Sequence, residues 1–407
     1  MQKIIIVVAF LALCLNSKAE GYQVNAQSHK NIAMGHTGTG LSLGASSVHF
    51  NPGALGLMEK KYDFSLGGIL VLSDVAFSKQ NSTYQANTES PTGTPFYFYG
   101  AAKLNDKFVA SLGVTTPYGN SLAWNKEWDG RYLIQDISLK AIVAQPTLSY
   151  KISDKLGFGI GAMIVYGAVD LNRALPVQNG NEEGSVNLSG STVSLGFNTG
   201  LYYKVSDAFS LGLNYRSKVA MKMEDGDADF NVPASLSASF PAGNKFDAEL
   251  PLPANLTLGA GFKVNDKLTL ACDLQYVFWN AYDELVFDFE MNTPQLADSR
   301  NPREYENTLI YRLGAQYTFT DKLTVRAGVY YDETPISDNY LNPETPGMNK
   351  VGLSIGGSFN INDKLSVDAS LLYIYGIERE AGYEPANFYG TYNSQAFLPG
   401  IGFSYSF

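Results

Sequence analysis

The sequence predicts an all-β fold: a 14-stranded antiparallel transmembrane β-barrel with an N-terminal hatch, or plug, inside its lumen. Three observations carry that expectation. A short turn motif recurs six times; each copy is followed by apolar residues at every second position, all in phase; and the stretch from Gly21 to Met58 is Gly- and Ser-rich and keeps no period. The boundaries read as a signal peptide at 1–19, the hatch at 20–58 and the barrel at 59–407.

Lys3 supplies a positive start and Ile4 to Leu13 an apolar core, while Ser17 and Ala19 are small at −3 and −1 of a cut after Ala19. The apolar core is too short for a spanning helix, so it reads as a secretory signal. A lipoprotein acylated at Cys14 is disfavoured, because Leu13 stands where such proteins have a small residue. Removing the signal leaves 27 basic against 39 acidic residues, a formal charge of −12, which argues against nucleic acid as a partner. Cys272 is then the only cysteine, so an exported chain must be held by something other than an internal disulfide. Charged residues make up only 17% and aromatic residues 13% with 26 Tyr, the composition of a barrel whose lipid and lumen faces average out.

The repeated motif is Asn105-Asp106-Lys107-Phe108, Ser153-Asp154-Lys155-Leu156, Ser206-Asp207-Ala208-Phe209, Asn265-Asp266-Lys267-Leu268, Thr320-Asp321-Lys322-Leu323 and Asn362-Asp363-Lys364-Leu365. Asn, Ser and Asp bond their own backbone, so each copy reads as a tight hairpin turn. After the fourth, Leu268, Leu270, Cys272, Leu274 and Tyr276 alternate with Thr269, Ala271, Asp273 and Gln275. The same parity follows the other turns, giving one apolar and one polar face. The Asp positions lie 48, 53, 59, 55 and 42 residues apart, room for two spanning strands and a long connection. Six turns join twelve strands. One strand before them, from about Tyr62, and one after, ending at Phe407, complete the even number. The long connections, among them Pro117 to Asp136, Asn172 to Asn187, Glu224 to Leu250, Asn292 to Arg303, Thr334 to Pro346 and Glu378 to Asn393, are polar and are expected to face the outside.

Several segments resemble the FadL/TodX family of outer-membrane transporters for long-chain fatty acids and aromatic hydrocarbons. They are Gly21-Tyr22-Gln23-Val24-Asn25 at the mature N-terminus, Asn51-Pro52-Gly53-Ala54 in the hatch, Pro117-Tyr118-Gly119 with Trp128-Asp129-Gly130-Arg131-Tyr132, and Gln145-Pro146-Thr147-Leu148-Ser149-Tyr150. Gly53 departs from the family's Asn-Pro-Ala. The resemblance implies a monomeric barrel in the Gram-negative outer membrane, with an N-terminal hatch and passive inward diffusion of hydrophobic compounds.

Asn51 and Pro52 read locally as an N-cap and first residue of a helical turn that fixes the hatch to the barrel floor. With Gly21, Asn25, Gly38, Gly40 and Gly53 they form the candidate hatch set. Inward parity selects Arg216, Lys218, Lys263, Arg312 and Arg326 as lumen cations; Arg312, Arg326 and then Arg216 are the candidates for a ligand carboxylate, since Arg binds it in a bidentate fork. Leu372 and Ile374 share that parity and suggest an apolar passage. Pro117 and Pro146 each remove a ladder donor, at roughly similar heights in adjacent strands, which with Gly119 makes a candidate lateral window.

Gly40-Leu41-Ser42-Leu43-Gly44 matches the G-x-S-x-G pattern, but no strand precedes it and the only histidines are His29, His36 and His49, so no hydrolase site can be assembled. Those histidines have no metal-ligand spacing. Asp225, Asp227 and Asp229 alternate like the start of a calcium loop without its later ligands, and read as a solvated acidic loop near lipopolysaccharide. Neither a metal nor a cofactor is expected. The expected function is passive uptake of hydrophobic compounds, chiefly long-chain fatty acids, in contact with outer-membrane lipid and lipopolysaccharide. A nonspecific polar porin and a structural or adhesive barrel are the alternatives.

Overall fold

The computed structural model describes residues 21–180 and 182–407; the signal segment lies outside the described residues. Fourteen antiparallel strands close into a barrel. In order they are β1 (Tyr62–Ile69), β2 (Phe96–Lys103), β3 (Phe108–Ala123), β4 (Asp136–Lys151), β5 (Leu156–Asn179), β6 (Glu182–Lys204), β7 (Phe209–Arg216, continued by Val219–Asn231), β8 (Asn244–Leu252, continued by Asn255–Lys263), β9 (Leu268–Val277), β10 (Thr308–Thr318), β11 (Leu323–Asp332), β12 (Lys350–Asn360), β13 (Leu365–Tyr383) and β14 (Phe388–Ser406). Closure is made by β1 and β14, which pair from Asp63↔Ser406 to Ile69↔Gly400. The sheet therefore has no free terminal strand.

All six motif turns form as expected. In the first, the amides of Lys107 and Phe108 donate to Asn105 Oδ1 at 2.9 and 3.0 Å, and Ser153, Ser206, Asn265, Thr320 and Asn362 accept in the same way. At four of the turns the aspartate adds an ion pair with the strand before it: Lys103–Asp106 at 3.7 Å, Lys151–Asp154 at 2.6 Å, Lys204–Asp207 at 2.8 Å and Lys263–Asp266 at 2.9 Å. Lys263 therefore lies at the rim and not in the lumen. Lys218, at the break within β7, is likewise exposed, 3.9 Å from Glu249.

The alternation resolves into a lipid face and a lumen face. Leu66, Leu258, Leu274, Ile355 and Phe403 point outward, with exposed Cys272 among them. Tyr62 and Phe407, Phe108 and Tyr150, and Tyr405 and Phe407 pair their rings near the turns, the aromatic band that marks a membrane interface.

The upper half is more ordered than expected. β5 and β6 run through most of Asn172 to Asn187, β7 and β8 through much of Glu224 to Leu250, and β13 and β14 through Glu378 to Asn393, because cross-strand pairing continues above the membrane. The segment Thr334 to Pro346 does not face outward. It folds into the barrel mouth, with Ile336 and Leu341 fully buried and Asn120 donating to the Glu344 carbonyl at 2.8 Å.

The segment before β1 lies within the lumen and forms three single turns of helix, α1 (His29–Ile32), α2 (Ser47–Phe50) and α3 (Pro52–Leu55). Asn51 caps α3 through Gly53 N, at 3.0 Å, with Pro52 at the first helical position. The hatch approaches the wall backbone to backbone. A methyl group at Gly40 would sit 2.5 Å from the Ala260 amide, and one at Gly53 would sit 2.7 Å from the Gly200 carbonyl, which accounts for Gly where the family motif has Ala.

Candidate functional site

Polar wall residues hold the hatch from several sides. Asp273 on β9 accepts from the amides of Gly38 and Thr39 at 2.9 and 3.0 Å, and Asp63 on β1 accepts from Ala45 at 2.9 Å. The Asn51 amide group donates to the Thr39 carbonyl and, across to β6, to the Leu201 carbonyl, at 2.8 and 2.9 Å. Gln145 and Ser149 on β4 donate to the carbonyls of Val48 and Pro52.

Arg216, Arg312 and Arg326 all face inward and are buried. Their geometry gives them anchoring contacts. Arg216 donates to the His49 carbonyl at 2.9 Å and lies 3.0 Å from His49 Nδ1; Arg312 bonds Gln275 and, at 3.2 Å, Asn25 of the hatch. Arg326 bonds Gln316 and Ser358, and Ser358 in turn bonds Asp368. Leu372 belongs to one apolar cluster with Ile32, Val48 and Leu55 of the hatch, and Ile374 packs against that cluster, so the hatch fills the apolar channel they would line.

The open space lies above the hatch. An apolar cavity of about 50 Å³ is walled by Ile137 and Leu139 of β4, Val169 and Leu171 of β5, Met223 of β7 and Leu250 of β8. Tyr22 forms part of its floor, and Tyr282, Glu344 and Thr345 come from the folded-in outer segments. Two cations stand beside it. Arg303 is buried, pairs with Glu344 and lies against the ring of Tyr282. Arg173 continues the inward parity of Val169 and Leu171, and its Nε is buried with no hydrogen-bond partner among the described residues. Both arginines fall in segments whose polar composition predicts outer loops; the period of β5, followed two residues beyond Leu171, places Arg173 on the lumen face.

Beside the cavity, the wall is incomplete. The β2–β3 ladder stops at Tyr97↔Thr115, where Thr116 Oγ1 still bonds the Phe96 backbone, and backbone contact resumes at Ala123 and Trp124 with Glu89 and Thr88. Pro117 lies in this gap, at a register shift of β3 between Thr115 and Tyr118. The hatch closes it from inside. Val24 N donates to the Pro117 carbonyl at 2.9 Å and Gly119 N donates to the Tyr22 carbonyl at 3.0 Å, so Tyr22 to Val24 act as a short added strand. Pro146 is not at this height. It pairs opposite Leu112, five residues below Pro117, where the β4–β5 ladder skips from Ala144↔Ile164 to Thr147↔Gly161.

The remaining motifs have structural roles. Ser42 is exposed, whereas His29, His36 and His49 are spent on Ser370, Gln27 and Arg216. Asp225 adopts a left-handed conformation (φ 57°) at a bulge and Asp227 pairs with Lys245. Among the described residues no group of three His, Cys, Asp or Glu side chains is placed to hold a metal.

A closed barrel with a lipid-facing apolar wall, a filled lumen and an apolar cavity at its mouth is the build of an outer-membrane transporter for hydrophobic compounds. The chain belongs to the family of outer membrane protein transport proteins (OMPP1/FadL/TodX), whose model matches residues 10–407. It is 25% identical to outer membrane protein P1 of Haemophilus influenzae, covering 98% of each chain. With the long-chain fatty acid transport protein of Escherichia coli K12 it shares 22% identity over 98% of this chain and 97% of that one. Its fold matches a Pseudomonas aeruginosa FadL homologue with a TM-score of 0.84, at 20% identity over 95% of this chain and 100% of that one. For the toluene transporter TodX of Pseudomonas putida the TM-score is 0.71, at 19% identity over 96% of this chain and 99% of that one. The protein resides in the Gram-negative outer membrane and is a channel, not an enzyme.

Proposed function

We propose that the protein takes up hydrophobic molecules bearing a carboxylate, long-chain fatty acids above all, by diffusion through the cavity above the hatch. The observation that carries this is Arg173, whose Nε is buried without a hydrogen-bond partner among the described residues and which follows the cavity residues Val169 and Leu171 at the same parity of β5. A neutral hydrocarbon would leave that Nε without an acceptor, with only the charge of Glu344 nearby, whereas a carboxylate supplies the acceptor while its tail lies against the apolar walls. Arg216, Arg312 and Arg326 then serve as hatch and lumen anchors. Release follows when Tyr22 to Val24 leave β3, uncovering the gap at Pro117 and Gly119 towards the membrane. One barrel encloses cavity, hatch and gap, so a monomer is sufficient.

Binding of a fluorescent long-chain fatty acid to the detergent-purified protein tests the reading. Saturable affinity should weaken roughly tenfold or more in Arg173→Gln, the loss of one charge-assisted hydrogen bond of about 1.5–3 kcal/mol, and little in Arg326→Gln. Equal affinity for the acid and its methyl ester would refute it. Rapid entry of sugars into liposomes carrying the protein would favour a polar porin.

A further inference from the structure

The wall has a second seam. The β6–β7 ladder ends at Asn198↔Arg216 and resumes only at Asp227↔Ser189, with its register shifted by two residues. No ladder pair joins β6 to β7 between Gly190 and Phe197. One backbone bond, from the Ser217 amide to the Phe197 carbonyl at 2.9 Å, closes the lower end, and above it two serines bridge the strands: Ser217 Oγ accepts from the Phe197 amide at 2.9 Å and Ser194 Oγ donates to the Ala220 carbonyl at 2.8 Å. The lipid face is correspondingly bare. Leu195 and Val193, at 73% and 65%, are the most exposed large apolar side chains among the described residues, because no neighbouring strand covers them there.

Behind the seam stands a flexible plug. Met163, Met221 and Met223 are buried on the inner side, and they lie over glycines: a methyl at Gly196 would meet Met163 Cε at 2.8 Å, one at Gly167 would meet Met221 Sδ at 2.5 Å, and one at Gly190 would meet Met223 Sδ at 3.5 Å. Met223 also walls the apolar cavity. An unbranched thioether side chain moves between rotamers at small cost, and glycine backbones leave it room to do so. The seam begins at Phe197, seven residues above Lys204, and the β2–β3 gap at Thr116, eight above Phe108, so the two open at similar heights on opposite sides of β4 and β5. Backbone without ladder partners is tolerated at membrane depth where it lines a cavity.

We propose that the β6–β7 seam is a second lateral portal, through which hydrophobic molecules dissolved in the outer leaflet pass Leu195 and Val193, displace the methionine plug and reach the cavity. It rests on the transport of hydrophobic compounds proposed above. The portal gives membrane-dissolved solute a path that needs no movement of the hatch, since Tyr22 to Val24 cover the other gap.

A reversible staple tests it. In a Cys272→Ser background, Gly196→Cys with Val219→Cys brings two thiols together across the seam, because the Gly196 methyl position lies 2.6 Å from Val219 Cγ2. Uptake of a fluorescent fatty acid supplied in liposome membranes should fall several-fold when the staple is oxidised and recover on reduction. Unchanged uptake with the disulfide formed overturns the portal while leaving the transport reading intact. Absence of uptake by the unsubstituted protein overturns the transport reading, and the portal with it. If the staple does not close, Met221→Ala with Met223→Ala decides: faster uptake supports the portal, and an unchanged rate overturns it.

Discussion

The amide of Val24 donates to the carbonyl of Pro117 across the interior of the barrel, at 2.9 Å. Pro117 sits where β3 has lost its β2 neighbour, so the hatch supplies the pairing that the wall lacks. Closure of the gap is thereby tied to the position of the N-terminal segment. Val24→Pro removes the donor without touching the wall. The loss of about 1 kcal/mol should raise the detached population roughly fivefold, seen as faster fatty-acid uptake with an unchanged melting transition of the barrel. Slower or equal uptake would show that this strand does not limit passage.

Asp273 gives a second handle on the hatch. Its carboxylate accepts from Gly38 and Thr39 and is buried against them. Asp273→Ala leaves two amides unpaired, at roughly 1–3 kcal/mol each. Protease sensitivity of the hatch in detergent should rise while barrel strands stay protected. Asp273→Asn keeps an acceptor and should fall between the two.

Much of this arrangement was legible in the sequence, and the reasons differ by element. The six turns and the phase of the strands follow from local chemistry and a period of two, and both appear where they were expected. Asp273 was visible as an inward residue of its strand, yet its partners Gly38 and Thr39 lie over two hundred positions away, and spacing carries no such information. Arg173 and Arg303 were hidden by a boundary: polar composition above the membrane resembles loop, although the ladder of β5 and β6 continues there. The heights of Pro117 and Pro146 were hidden because each is counted from a different turn: Phe108 stands opposite Tyr150, so Pro146 lies four residues above that level and Pro117 nine.

The buried pair of Arg303 and Glu344 predicts an asymmetric mutational response. Glu344→Ala leaves Arg303 charged and enclosed by Tyr282 and Tyr305, and removing one partner of a buried pair costs about 3–5 kcal/mol. Amide exchange in the segment from Thr334 to Met348 should accelerate accordingly. Replacing both, Arg303→Met with Glu344→Leu, should return exchange close to its original rate, since two apolar groups need no partners. An equally fast double variant would locate the stability of this segment elsewhere.

The histidines of the hatch set a direction for pH. Burial, and the guanidinium groups of Arg216 and Arg312, hold His36 and His49 well below the usual histidine range, so both remain neutral when packed. A released hatch would bind protons near the free value of about 6.5, whereas the packed hatch binds them only at lower pH. Hatch docking is therefore fully stable above that free value and weakens as the medium is acidified through it, by up to about 1.4 kcal/mol per histidine for each pH unit. Arg216 sharpens the effect, because its contact with His49 Nδ1 needs that nitrogen as an acceptor. Fatty-acid uptake in liposomes should thus be faster at an external pH near 5.5 than at neutral pH. His49→Gln, which has no proton to gain, should flatten the dependence. A profile that stays steep in His36→Gln with His49→Gln would assign the response to other groups.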